Sequence, residues 1–234
     1  INTAFWISII SCKSKQLIET MLNSIFRISG SFPKFIKPNS KNYLKLWYSI
    51  TENKKVSKKV NQWLQDKGKH NSSYSIYNDN MSFNFFDEST NTPVHPQDMG
   101  VGISQSLPII IASTLYKYTN IYVEQPELHL HPKLQMELAD EFIKNMHENK
   151  NNFILETHSE HIILRLMKRM RHTDEDSLED ESLKLTPDDI CLLYVDNNGE
   201  NTYIKELELD KDGTLLDPWP NGFFEEGYNE RFGV

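Results

Sequence analysis

The sequence predicts an α/β fold in which helices flank a parallel sheet, preceded by a helical N-terminal segment. Residues 120–171 alternate between short apolar runs and amphipathic stretches, which is the order strand, helix, strand, helix. The 234 residues are 38% hydrophobic and 11% aromatic, which is enough apolar surface for a packed core and too much for a disordered chain.

The charge of the chain is divided unevenly between its two ends. Residues 1–70 hold 13 Lys and Arg against 3 Asp and Glu, whereas residues 71–234 hold 12 against 30. We therefore divide the chain into a basic, mainly helical segment (residues 1–70), a central lobe (71–172) and a C-terminal appendage (173–234). The basic segment fits a nucleic-acid surface and fits a solvated helix face equally well.

The N-terminal segment carries two patterns with helical spacing, at residues 13–29 and 42–67. Trp47 and Trp63 fall on the apolar face of the second pattern, which favours a place in the core over stacking on bases. Four lysines lie on the same stretch: Lys54, Lys55, Lys58 and Lys59.

The rest of the chain is interpreted from its periodicity. Residues 73–86 alternate like a hairpin around the turn Asn78-Asp79-Asn80. We expect helices at 107–115, 134–146 and 162–170, and strands at 121–123, 153–155, 190–195 and 203–207.

Polar side chains follow the two strands that flank the helix at 134–146. Glu124 comes directly after the first strand, and Glu156, Thr157 and His158 come at the end of the second. Parallel strands joined by a helical crossover lie close together, and their carboxyl ends face the crevice where α/β sheets bind ligands. We therefore expect Glu124 and His158 to approach one another.

A glycine-containing segment precedes the helix at 107–115. Gly100, Gly102 and Ser104 stand where a helix begins, so the first backbone N–H groups and the helix dipole could hold a phosphate. A flexible turn with a serine cap has the same composition.

These segments in this order resemble the C-terminal half of an ABC-type ATPase head of the P-loop NTPase class. Residues 99–105 resemble the signature loop, 121–127 the Walker B strand, 128–132 the D-loop and 155–159 the switch-histidine loop. The residues of these motifs are similar to those of a group of AAA/ABC-like ATPases. That group is related to chromosome-maintenance and overcoming-lysogenization-defect proteins. That group carries a C-terminal domain of unknown function ending in Trp-Pro-x-Gly-Phe-Phe, which resembles residues 219–224 here.

The resemblance implies a role for each motif. Glu124 would hold Mg²⁺, and His158 would contact the γ-phosphate of ATP. Gly100, Gly102 and Ser104, with Gln105 in the same motif, would cover the ATP bound to a second ATPase head. The resemblance also implies a DNA-maintenance or phage-defence system, with a nuclease or toxin effector and nucleic acid as possible partners.

Two departures from the family pattern affect the expected activity. Gln125 stands where a glutamate usually orients the attacking water; it can position water but cannot accept its proton, so either Glu127 or Glu156 would stand in, or hydrolysis would be slow and ATP binding would act as a clamp; we expect slow but real hydrolysis. The sequence Gly-x-x-x-x-Gly-Lys-Ser/Thr is absent, although nine glycines are present. We expect the chain to be the C-terminal part of an ATPase and to be inactive alone.

Two other functions stay open. The chain could be a degenerate ATPase lobe that binds a nuclease or toxin without turnover. It could also be a metal-dependent hydrolase, because His-x-His and Glu-x-His-x-x-His spacings suit Zn²⁺ or Mn²⁺. The candidate ligands are His129, His131, His158, His161, Glu124, Glu127 and Glu156.

The chain shows no sign of a membrane partner. No apolar run approaches the roughly 18 residues of a membrane span. The two cysteines, Cys12 and Cys191, are too few for a disulfide scaffold. We therefore expect a cytoplasmic protein.

Overall fold

The structure is a computed structural model that describes residues 4–9, 49–65, 69–77, 80–197 and 200–220. The strands are β1 (Ala4–Ile9), β2 (Lys69–Tyr77), β3 (Asn80–Asp87), β4 (Pro93–Val94), β5 (Asn120–Glu124), β6 (Asn152–Thr157), β7 (Ile190–Asn197) and β8 (Thr202–Leu207). The main helices are α1 (Lys54–Gln65), α2 (Val101–Leu115), α3 (Pro132–Asn149) and α4 (Glu160–Asp174).

The larger of two sheets contains five strands in the order β5-β6-β1-β7-β8. Strands β5 and β6 are parallel, as predicted, but β1 is antiparallel to both β6 and β7, and β7 is antiparallel to β8. The prediction of a parallel sheet was therefore wrong outside the β5–β6 pair. Strand β7 ends at Asn197 and β8 begins at Thr202, which is too close along the chain for a parallel pair, since parallel strands need a crossover of about a dozen residues or more.

Strand β1 occupies the middle of this sheet and was not predicted. Its short apolar run lacks the alternation that marks a half-buried strand, so periodicity could not identify it. Because β1 pairs with β6 and β7, all three predicted segments of the chain contribute a strand to one sheet. The boundaries at residues 70 and 172 stay predictions about sequence organisation.

The basic segment is described only in part, and the helix predicted at 13–29 and Trp47 lie outside the described residues. The second predicted helix is interrupted at Asn53, whose side-chain Oδ1 accepts hydrogen bonds from the backbone N–H groups of Lys55 (3.0 Å) and Val56 (3.3 Å). Helix α1 begins directly after this cap. Trp63 is buried, which confirms its predicted place in the core.

Residues 69–94 form the second sheet, which has three strands in the order β2-β3-β4. Strands β2 and β3 are antiparallel and are consecutive along the chain, which confirms the predicted hairpin. This sheet contacts α1 through β2, and α1 in turn contacts α2.

Helix α3 is the central helix of the described core. It contacts β1 and β6 of the large sheet and packs beside α2 and α4. Leu138, Phe142 and Met146, three of the residues whose spacing predicted the helix, are buried. The Phe142 ring lies 4.9 Å from the Phe153 ring of β6, measured between centroids.

A partly buried ion cluster joins α3 to α4. Each oxygen of the Asp140 carboxylate accepts one hydrogen bond from Arg165 and one from Arg169, at 2.6–3.0 Å. Burial alone would raise the pKa of Asp140, but the hydrogen bonds from Arg169 and Arg165 outweigh it and hold the pKa below its ordinary value of 3.8. The cluster fixes the distance between the two helices that follow β5 and β6.

The C-terminal appendage packs against α4 and the core. Gly213 has a φ of 78°, and a Cβ atom there would lie 2.5 Å from the carbonyl oxygen of Met167 on α4. Trp219 is half-buried against the hydrophobic core. The remainder of the predicted Trp-Pro-x-Gly-Phe-Phe element, residues 221–224, lies outside the described residues.

Candidate functional site

The predicted site residues meet at the carboxyl ends of β5 and β6. The two strands pair in register along their whole length, so that Glu124 lies opposite Glu156. The side chains of Glu124, Glu127 and His158 all act electrostatically on Glu156. Glu124 therefore lies beside Glu156 at the end of β6, and the approach of Glu124 to His158 stays a prediction.

The chain turns sharply after β5, and this turn places Glu127 near β6. Gln125 has a φ of 48°, and its backbone N–H donates a 2.7 Å hydrogen bond to the carbonyl of Glu156. The following residues curl into a turn in which Leu128 N–H donates to the carbonyl of Gln125 (3.1 Å). The side chain of Gln125 is half-buried.

Glu127 binds the loop that carries His158. The Thr157 hydroxyl donates to Glu127 Oε2 (2.7 Å), and the backbone N–H of His158 donates to Glu127 Oε1 (2.7 Å). Both carboxylate oxygens of Glu127 are therefore engaged by residues at the end of β6.

Gln135, in the first turns of α3, makes a second link between the same two loops. Its amide nitrogen donates to the carbonyl of Leu130 (2.9 Å), and its Oε1 accepts from the Ser159 hydroxyl (2.5 Å). Ser159 also caps α4, because its Oγ accepts from the backbone N–H of Ile162 (3.0 Å). Sequence patterns did not indicate Gln135, because an interior glutamine in a helix carries no motif; the serine cap of α4 was visible in principle.

Negative charge is concentrated at this edge of the sheet. Partial burial raises the pKa of Glu156 above its ordinary value of 4.5, and the neighbouring charge of Glu124 raises it further. The neighbouring His158 opposes this shift in the pKa of Glu156, and Glu127 adds a smaller increase. A cation placed among these carboxylates would relieve their repulsion.

The start of α2 lies against the turn that follows β5. A Cβ atom on Gly102 would be 2.7 Å from the carbonyl oxygen of His129 and 3.0 Å from the Leu130 side chain. Gly102 therefore permits a close approach of two backbone segments. This packing accounts for Gly102 whether or not it contacts a ligand.

Gly100 has a different structural reason to be glycine. It is the N-cap of α2 with a φ of 93°, and a Cβ atom there would meet no described atom within 4 Å. The Ser104 hydroxyl donates to the carbonyl of Val101 (2.9 Å) and does not cap the helix. Ser104 and Gln105 are half-buried.

The alternative transition-metal cluster is not assembled in the described part of the chain. Among those residues, no group of three or more His, Cys, Asp or Glu side chains lies in an arrangement that could hold a metal ion. His131 has another role there, because its Nδ1 accepts a hydrogen bond from the backbone N–H of Lys133 (3.2 Å) at the start of α3. His129 is exposed.

Comparison with known families identifies the class of protein. Residues 3–163 match the family described as AAA ATPase domain. This match spans more than half of the chain, so the chain belongs to that family, and its α/β fold is of the P-loop NTPase class. Residues 185–230 match a family described as a protein of unknown function, DUF3696.

Comparisons with solved structures and with curated proteins do not identify the chain beyond its family. One solved structure, from work on the ATP-driven dimerization and DNA-stimulated activation of SMC ATPases, superposes with a TM-score of 0.46 and 10% sequence identity. That match covers 71% of this chain and 91% of the other. No curated protein matches the sequence significantly. None of the described helices is long and apolar enough to cross a membrane.

Proposed function

We propose that this chain forms part of an ATPase that binds and hydrolyses ATP between two dimerised heads. The observation that carries the proposal is the joining of three motif segments at one place. Glu124 and Glu156 lie opposite each other at the ends of β5 and β6. Glu127 binds the His158 loop, and Gly102 lets the start of α2 pack against the turn that follows β5.

The residues at this edge suit Mg²⁺. Mg²⁺ prefers carboxylate oxygens and binds proteins through one or two of them together with substrate phosphates. Glu124 would hold the ion directly or through water. The negative charge of Glu124 already acts electrostatically on Glu156. When bound with ATP, Mg²⁺ supplies charge neutralisation at the phosphates.

Gln125 and Glu156 are the residues we assign to the attacking water. Gln125 can orient a water molecule but cannot take its proton. Glu156 lies opposite Glu124 at the end of β6, and its carboxylate can accept a proton, which Gln125 cannot. Turnover by this pair would be slow, as the glutamine predicts.

The start of α2 is assigned to ATP held by the second head. Gly100, the N-cap of α2, has no side chain of its own to cap the helix, and the first N–H groups are where a phosphate would bind. Val101 and Leu128 are large apolar residues that are exposed next to this helix start and the neighbouring turn. A partner head that covers them would bury apolar surface as it brings in its nucleotide.

The 234 residues contain no P-loop sequence, so we assign the cradle for the β-phosphate to polypeptide outside them. We call this chain together with that polypeptide the complete ATPase. The finer context, a DNA-maintenance or phage-defence system with a nuclease or toxin effector, rests on the motif resemblance.

The test is ATP turnover by the complete ATPase and two variants. Glu124→Gln and His158→Ala should each lower kcat by about a hundredfold, because each removes a group that acts on the developing charge at the phosphates. Glu148→Gln, on the exposed end of α3, is the control and should be unaffected. No turnover by the complete ATPase would contradict the proposal and leave the non-enzymatic interaction module.

Nucleic acid is the partner we assign to α1. Lys54 and Lys58 are exposed, whereas Lys55 donates to Asn149 and Lys59 pairs with Glu141. Binding of duplex DNA across a salt series should weaken with salt, and Lys54→Gln with Lys58→Gln should lower the slope by about two. A slope that the double variant leaves unchanged would remove α1 from the interface.

A further inference from the structure

Glu127 belongs to a closed ring of hydrogen bonds around the His158 loop. Its carboxylate accepts from the Thr157 hydroxyl, which itself accepts from the backbone N–H of Ser159 (3.0 Å). The Ser159 hydroxyl donates to Gln135, and Gln135 donates to the carbonyl of Leu130. The backbone N–H of Leu130 donates to the carbonyl of Glu127 (2.9 Å), which closes the ring.

His158 lies between two members of this ring. Thr157 on one side and Ser159 on the other are both buried and both hydrogen-bonded within it. The backbone N–H of His158 itself donates to Glu127. Hydrogen bonds of Thr157, His158 and Ser159 therefore hold the main chain at His158 in place.

We infer that Glu127 is a positioning residue for His158 and does not take the proton from the attacking water. Each of its carboxylate oxygens already accepts a hydrogen bond from the loop that it holds. Gln135 is a second positioning residue, because its side chain hydrogen-bonds Ser159 and Leu130 to the first turns of α3. The inference depends on the proposed function only for the role given to His158.

The chemistry of glutamine separates the two roles of residue 127. A glutamine keeps an oxygen that can accept the His158 N–H, and its amide can donate to the Thr157 oxygen. It lacks a group that can accept a proton from water. Positioning therefore tolerates Glu127→Gln, whereas proton acceptance does not.

The first measurement is amide hydrogen exchange in the full 234-residue chain, which needs no nucleotide. Glu127→Ala should speed exchange at the His158 amide by about thirtyfold or more, because a charged acceptor is lost. Glu127→Gln should speed it by about fivefold or less, because a neutral acceptor remains. Glu148→Ala and Glu148→Gln should change it less than about twofold, and an unchanged His158 amide in Glu127→Ala would overturn the inference.

Gln135→Met provides a second route if Glu127→Ala does not fold. Methionine has a similar shape but cannot link Leu130 to Ser159, so exchange at the Ser159 and His158 amides should rise by about fivefold or more. Lys133→Met is the matched control, since that side chain is 76% exposed in the same helix turn. Equal amide exchange rates in Gln135→Met and Lys133→Met would show that Gln135 does not position the His158 loop.

The second measurement is kcat of the complete ATPase. Glu127→Gln should lose about fivefold and Glu127→Ala more than about thirtyfold. A proton acceptor predicts that both lose the same large factor, about 10²–10⁴, and that outcome would contradict the inference. If the native protein neither dimerises nor turns over ATP, the proposed function fails, and the exchange rates still decide whether Glu127 positions the loop.

Discussion

At the residue scale, two glycines of one motif serve different physical needs. Gly100 supplies a backbone conformation at φ 93°, with open space where a side chain would be. Gly102 supplies a close approach, because the carbonyl of His129 occupies the place of its Cβ. Both glycines were predicted from sequence as phosphate-binding residues. The structural reason for Gly102 was not visible there, because it depends on the distant turn at His129.

This difference predicts unequal costs of substitution. Gly102→Ala should destabilise the chain by about 2–3 kcal/mol, because two backbone segments must separate. Gly100→Ala should cost about 1 kcal/mol, from backbone strain alone. Urea unfolding of the two variants checks this, and equal losses would mean that the contact with His129 does not hold α2 in place.

At the element scale, helices were easier to predict than strands. Helix α3 was predicted because Leu134, Leu138, Phe142 and Met146 repeat every four residues. The residues at which it begins and ends are set by local capping interactions, which periodicity does not report. For helix α2 the apolar run marked only residues 107–115, whereas the start at Val101 agrees with the helix start predicted at Gly100, Gly102 and Ser104. Strand β1 has no such repeat, and only its pairing with β6 and β7 identifies it.

The ion cluster between α3 and α4 gives a prediction for pH dependence. Asp140→Asn leaves Arg165 and Arg169 facing each other, partly buried, and should cost about 2–4 kcal/mol at pH 7. The folded pKa of Asp140 is lowered, so its contribution is present above pH 3.8 and is lost as the pH falls through the folded pKa. The difference between Asp140→Asn and the native chain should therefore shrink toward pH 3.

Urea unfolding at pH 7 and pH 3 measures this difference. Asp174→Asn is the control, because Asp174 pairs with the exposed Lys211 and should cost less than about 1 kcal/mol. A loss for Asp140→Asn that is no larger than the control would show that the cluster does not bind the helices together.

At the scale of the whole molecule, the described chain is organised around β1. This strand lies between β6, which ends at the proposed site, and β7, which belongs to the appendage. The pairing of β1 with β6 and β7 could not be predicted from sequence patterns, because pairing between distant strands is set by the tertiary fold. The site and the appendage therefore share one sheet.

Proline substitutions test the central place of β1. Ile7→Pro removes a backbone donor from a strand that is paired on both sides, opposite Leu155 and Leu192, and should abolish the cooperative thermal transition. Ile204→Pro lies on β8, which among the described strands is an edge strand paired with β7 alone, and should keep the transition at a lower temperature. Circular dichroism melting measures both, and a cooperative transition in Ile7→Pro would place β1 outside the folding core.

The proposed ATPase cycle also makes a claim at this scale, namely that the start of α2 binds nucleotide held by a second head. Ser104→Asp tests it, because a carboxylate in the first turn favours the helix but repels a phosphate. Ser177→Asp, in the exposed loop after α4, is the control.

The most direct measurement is the mass of the complete ATPase by light scattering, with and without ATP and Mg²⁺. The account predicts that nucleotide doubles the mass of the native protein and of Ser177→Asp, and that Ser104→Asp stays a monomer. A mass that ATP does not change, or a Ser104→Asp protein that dimerises like the native one, would contradict it.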